Sequence, residues 1–224
     1  MRQLLRKFQV GLAMANLLPA PNLLGDRNIE WSWVASHLGH GPGTVLDFGS
    51  GGGFLGLLAA RRGYDVTAMD CHPVRWFHHY PRLRGIQHDI LRVNDWSTRY
   101  DYIINCSSIE HVGLAGRYGV TTSKPDGDLQ AMNILSRLVK PSGTMILTVP
   151  VGVDEVFPPL HRVYGQDRLP RLLQGWVVQT SEFWVKDQSN RWVITEEANA
   201  LRQPARAWCY GLGLFVVRPS ESES

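Results

Sequence analysis

Residues 44–70 read "TVLDFGSGGGFLGLLAARRGYDVTAMD". An apolar run containing Asp47 leads into four glycines and a serine. A helix-like segment follows, closed by Gly63, and a second apolar run ends on Asp70. The order is strand, tight turn, helix, strand. A turn without side chains lets backbone N–H groups approach a ligand closely, where any Cβ would stand in the way. The same kind of turn also starts helices that bind nothing, so the glycines need support from the acids at both ends.

The alternation continues on both sides. Ahead of the turn, "GDRNIEWSWVASHL" reads as a helix with Asp26 as N-cap and Ile29, Trp33, Val34 and Leu38 on one face. Before it, Leu4, Leu5, Phe8, Leu12 and Ala15 recur at helical spacing. Beyond Asp70, "IQHDI" and "YDYIINCSS" are short apolar strands, and "GDLQAMNILSRLVKPSG" is a helix stopped by Pro141 and Gly143. "TMILTVPV" is a fifth strand. Continuous apolar strands separated by helices predict a mostly parallel sheet covered on both faces. After the helix "GQDRLPRLLQG", the segments "WVVQTSEFWVKD", "RWVITEE" and "AWCYGLGLFVVRP" are β-rich, and predict antiparallel strands at the sheet edge.

The chain has 224 residues, of which 44% are hydrophobic and 19% charged, a composition that forms a globular core. A formal charge of +3, with basic residues scattered, supplies no stripe for nucleic acid. No run of about 20 apolar residues suggests a membrane span. The basic, weakly apolar start loosely imitates a signal peptide and serves equally as an amphipathic helix. We expect a cytoplasmic protein: Cys71, Cys106 and Cys209 are odd in number and widely spaced, as reduced thiols are.

Two nucleotide-type readings compete for the glycine turn. Gly51-x-Gly53-x-x-Gly56, with Asp70 as ribose acid, satisfies the dinucleotide fingerprint of an NAD(P)-dependent oxidoreductase. Asp47-x-Gly49-x-Gly51-x-Gly53 instead resembles motif I of the class I S-adenosylmethionine (SAM) methyltransferases. That resemblance implies a Rossmann-like α/β sheet, mostly parallel, with antiparallel C-terminal strands and N-terminal helices. It also implies SAM as cofactor. Asp47 favours it, because an acid before the glycines suits a cationic amino-acid moiety and would repel a pyrophosphate. No Tyr-x-x-x-Lys occurs, so the commonest short-chain dehydrogenase apparatus is missing.

Further along, "SSIEHVGLAGRYG", "DGDLQAMNILSRLVKPSGTMILTVPVG" and "HRVYGQDRLPRLLQGW" resemble a group of small bacterial methyltransferases related to the DUF268 domain. The likeness covers about residues 25–218; Ala115 interrupts the group's usual "GLGRYG", and "PSG" replaces "PGG". The resemblance implies cofactor-binding roles for Asp47, Gly49, Ser50, Gly51, Gly53, Asp70, Cys71, Asp89, Ile90 and Ser107, with Asp70 on the ribose and Asp89 on the adenine amino group. Members of the group often lie among polysaccharide genes, which implies a small-molecule acceptor, a sugar or glycan compound, rather than nucleic acid or membrane. A peptide or other natural-product acceptor, and a non-catalytic SAM-binding partner, are the other readings that the sequence leaves open.

Methyl transfer needs positioning and removal of the acceptor's proton. In this fold the loop after the fourth strand faces the methyl group. It carries His111, the natural base by its ordinary pKa near 6.5, and Glu110, which holds the loop or orients a neighbour. "EH" at this place also serves merely to stabilise the loop or line the pocket. Arg117, Tyr118, Asp128, His161 and Tyr164 are candidates for the acceptor side; Asp126 and Asp128 serve equally as helix-capping loop acids. Arg27, Glu30 and Trp31 form a cofactor lid or a helix packed on the sheet. No metal is expected: "CHPVRWFHH", holding Cys71, His72, His78 and His79, matches no zinc spacing. Its Trp76 and Phe77, with Tyr80, suggest packing near the adenine or the sheet edge. The expected organisation is a helical cap over residues 1–40, a methyltransferase domain over 41–218 and a disordered tail over 219–224.

Overall fold

A computed structural model describes residues 26–73, 79–93, 96–207 and 210–220. The first predicted helix, Trp76, Phe77, His78, Cys209 and the end of the tail lie outside the described residues.

The predicted strand–turn–helix–strand unit is present. Helix α1 (Asp26–His37) is followed by β1 (Thr44–Phe48), α2 (Phe54–Arg61) and β2 (Asp65–Asp70). Then come β3 (Leu83–Gln87), a 3-10 turn at Ile90–Arg92, β4 (Tyr100–Cys106) and a second 3-10 turn at Ile109–His111. Helix α3 (Gly127–Leu138) leads into β5 (Val139–Val151), a small hairpin of β6 (Glu155–Phe157) and β7 (His161–Val163), and α4 (Arg168–Leu172). The chain closes with β8 (Trp176–Lys186), β9 (Trp192–Thr195), α5 (Glu197–Ala200) and β10 (Gly211–Pro219).

The sheet order is β3-β2-β1-β4-β5-β10-β8-β9. The first five strands pair in parallel, and β10 pairs antiparallel with both β5 and β8. The last strand of the chain is therefore inserted inside the sheet, with the β8–β9 hairpin outside it. Period-two alternation sorts the strand residues onto two faces. Leu46, Ile103, Met145 and Leu147 pack with α3 and α4 through Met132, Leu135 and Leu172. Val45, Ile104, Ile146 and Leu214 pack with α1 and α2 through Trp33, Val34 and Ala59.

Two elements differ from expectation. Helix α3 stops at Leu138, ahead of Pro141 and Gly143, because Val139 already pairs with Tyr100 of β4 before a register shift leads on to Thr144. A proline also disfavours helical geometry at the residue before it. The helix expected across "GQDRLPRLLQG" shrinks to Arg168–Leu172. Among the described residues, no helix is long and apolar enough to cross a membrane.

Candidate functional site

The C-terminal ends of β1 to β4 open into one cavity of about 970 Å³. In an open α/β sheet this is where ligands bind, at the point where strand order reverses. Gly49, Gly51 and Gly53 all take left-handed φ values, 68°, 49° and 71°. A Cβ on Gly49 would collide with the Ser108 side chain, so glycine is required there, whereas one on Gly51 meets nothing within 4 Å, which leaves room for a ligand.

The acids hold this turn from behind. Asp47 is buried, and its Oδ2 accepts from Gly56 N–H at 2.8 Å, pinning the first turn of α2. Burial pushes its carboxyl up to about 7; the Gly56 bond opposes this and nearby Asp70 adds to it. Asp70 accepts from Gly51 N–H at 3.0 Å and from His72 N–H at 2.9 Å, so the second strand's acid fixes the glycine turn of the first. Asp89 caps the first 3-10 turn through Leu91 N–H at 3.0 Å, with Ile90 buried beside it. Cys71 is exposed on the cavity wall, where partial desolvation and the neighbouring Asp70 carboxylate push its thiol up to about 11.

Of the predicted cofactor residues, Asp47, Gly49, Ser50, Gly51, Asp70, Cys71, Asp89, Ile90 and Ser107 line the cavity, with Gly53 just behind as the cap of α2. His111, Arg117 and Tyr118 line it too. His111 Nδ1 lies 2.6 Å from the Leu160 carbonyl, which assigns the proton to Nδ1 and leaves the lone pair on Nε2. Burial lowers this histidine to about 4, against the pull of that carbonyl, so the ring is neutral near pH 7. Nε2 stands 3.6 Å from Glu110 Oε1. Glu110 itself is buried behind the wall, and burial pushes it up to about 8. Tyr118, at φ 55°, sets its ring edge-on to His111 and His72, with centroids 5.4 and 5.6 Å away.

Asp128, His161 and Tyr164, expected on the acceptor rim, are buried and do not line the cavity. Asp128 instead takes Arg168 at 2.9 and 2.6 Å and the Tyr164 hydroxyl at 3.1 Å, with Arg162 Nε at 3.6 Å. Arg162, 1% exposed, donates to the carbonyls of Glu110, Val112, Lys124 and Pro125. This network clamps the loop that carries His111. His161 stacks edge-on to Tyr210 at 5.1 Å.

The largest role missed in the sequence is Glu30. It is fully buried, and its carboxylate joins Arg27 at 2.9 Å, Thr148 Oγ1 at 2.8 Å and the Ser107 hydroxyl. It therefore ties α1 to the ends of β4 and β5, the helix-on-sheet packing that was one of its two expected roles, while Arg27 and Trp31 of the same helix line the cavity. Trp31 lines the cavity and packs against Phe54, with ring centroids 5.7 Å apart. An acid on the apolar stripe between Ile29 and Trp33 was the signal that could have revealed Glu30.

Comparison with known proteins agrees with this geometry. The chain is 25% identical over 177 residues to a ubiquinone biosynthesis O-methyltransferase of Xanthomonas campestris pv. campestris, spanning 75% of this chain and 68% of that protein. The fold is shared with 1,6-didemethyltoxoflavin-N1-methyltransferase of Burkholderia thailandensis, solved with S-adenosylhomocysteine. That match has a TM-score of 0.59 at 18% identity, over 88% of this chain and 80% of that one. The N-methyltransferase NodS of Bradyrhizobium japonicum WM9, also solved with S-adenosylhomocysteine, matches with a TM-score of 0.55 at 13% identity, over 90% and 89% of the two chains. The family model described as "Caenorhabditis protein of unknown function, DUF268" matches residues 85–204. On a class I SAM-methyltransferase fold, the chain belongs to the DUF268 family.

Proposed function

We propose that the chain transfers a methyl group from SAM to an oxygen or nitrogen of a small acceptor, a sugar or glycan-related compound, without a metal and in the cytoplasm. The observation that carries this reading is the convergence of Asp47, Asp70, Asp89 and the left-handed glycine turn on one cavity. The cradle suits the cofactor: the open space over Gly51 admits a ligand, and three acids surround it at the ends of successive strands.

When bound, SAM supplies an electrophilic methyl group. Asp70 would hold the ribose hydroxyls while keeping the Gly51 turn in place, Asp89 and Ile90 would take the adenine, and Gly49 and Asp47 the methionine part. A cation beside Asp47 favours its carboxylate form. His111 supplies a neutral imidazole, oriented by the Leu160 carbonyl, as proton acceptor. A proton on Nε2 would favour ionisation of Glu110, its buried neighbour.

Calorimetric titration with S-adenosylhomocysteine, NAD(H) and NADP(H) tests the cofactor. Micromolar affinity for the homocysteine product alone is the expected result. Tight binding of a nicotinamide nucleotide would support the oxidoreductase reading instead.

A further inference from the structure

We propose that the acceptor is an anion, carrying a carboxylate or phosphate close to the atom that is methylated, and that Arg117 binds that group. The inference rests on the methyltransferase reading of the same cavity and names its substrate class.

The cavity holds both acids and bases. Asp47, Asp70 and Asp89 lie on the side of the first three strands, and each already accepts from a backbone N–H. Arg117 lines the same cavity from the loop after β4. Other arginines around the cavity and its loop have carboxylates: Arg27 pairs with Glu30, Arg92 with Asp89, and Arg162 and Arg168 with Asp128. Arg117, half-buried, pairs with no carboxylate among the described residues.

Its position is nevertheless held. The guanidinium carbon lies 4.5 Å over the Tyr118 ring centroid, and Nη1 lies 3.4 Å from the Leu160 carbonyl. Stacking on a ring fixes the guanidinium plane and leaves its forked N–H groups free to meet a planar anion. Tyr118 is itself fixed, since its ring is flanked by His72 and His111.

The Leu160 carbonyl is also the partner of His111 Nδ1, at 2.6 Å. The guanidinium and the imidazole therefore lie within two hydrogen-bond lengths of one another. An acceptor whose hydroxyl or amine reaches His111 presents its neighbouring substituent to Arg117. A carboxylate or phosphate there meets an unpaired cation in a partly desolvated wall, where charge-assisted bonds are strong. A neutral substituent would leave that cation without a counter-charge.

The test uses matched probes on the full chain, first with S-adenosylhomocysteine in the cell and then without it. D-Glucuronate and glucose 6-phosphate are each titrated beside D-glucose. The charged member of a pair is expected to bind about tenfold to a hundredfold more tightly. Whichever acid binds better identifies carboxylate or phosphate as the group. Arg117→Gln should abolish the preference and Arg117→Lys retain part of it. Equal affinities within both pairs, or a preference that survives Arg117→Gln, would overturn the proposal. Failure of the homocysteine product to bind, with the preference intact, would sink the methyltransferase reading and leave the anion site standing.

Discussion

Two carboxyl groups at the centre of this protein hold protons that the unfolded chain would release. Burial raises Asp47 to about 7 and Glu110 to about 8, and it raises Glu30 as well. Between about pH 6.5 and 8 the folded state therefore carries more protons than the unfolded one, so stability falls as pH rises. His111 acts in the opposite sense, but only below its ordinary value, since burial depresses it to about 4. Urea unfolding at about pH 6.5 and pH 8 should show a loss on the order of 2 kcal/mol, and Glu110→Gln should reduce it. A stability that rose across this window would contradict the burial argument. These roles were only partly legible in the sequence. Asp47 and Asp70 were recognisable because one stands in the apolar run just before the glycine turn and the other ends the next apolar run. Asp128, Tyr164 and His161 were not, because a polar residue beside a loop looks alike whether it faces a ligand or an interior arginine.

At the scale of elements, the loop between β4 and α3 carries His111, Arg117 and Tyr118 but has little regular structure of its own. It is held by Arg162 of β7, whose guanidinium donates to four of its carbonyls, and by Asp128 at the start of α3. Asp128→Ala would strand Arg162 and Arg168 without their shared carboxylate and leave the Tyr164 hydroxyl unpaired. Removing one partner from such a buried cluster costs about 3–5 kcal/mol. For a chain of this size, that lowers the melting temperature by about 6–20 °C. A melting curve unchanged by the substitution would show that the loop is held by something else. The strands of this region were readable from their apolar runs. The β6–β7 hairpin was not, since "EVF" and "HRV" are too short to show a period.

Across the whole molecule, local pattern explains the adjacent pairs β1–β2, β2–β3 and β4–β5 of the parallel half, because consecutive strands tend to lie side by side, while β4 crosses back to pair with β1. It does not explain why β10 enters between β5 and β8. That order depends on pairing between segments far apart in sequence, such as Phe215 with Leu147 and with Ser181. Nor does it reveal that α1 joins the sheet through Glu30, across 118 residues to Thr148. One consequence is functional: the acids and glycines of β1 to β3 and the clamped loop after β4 line one cavity. We propose that these acids and glycines hold SAM, with Asp70 binding the ribose while it keeps the Gly51 turn in place. The most direct test is calorimetric titration of S-adenosylhomocysteine into the wild type and into Asp70→Ala, with the fold of the variant checked by circular dichroism. Micromolar binding by the wild type, weakened about a hundredfold or more in a folded variant, is the predicted result. Equal binding by both proteins would contradict the assignment of the glycine turn and Asp70 as the cofactor site.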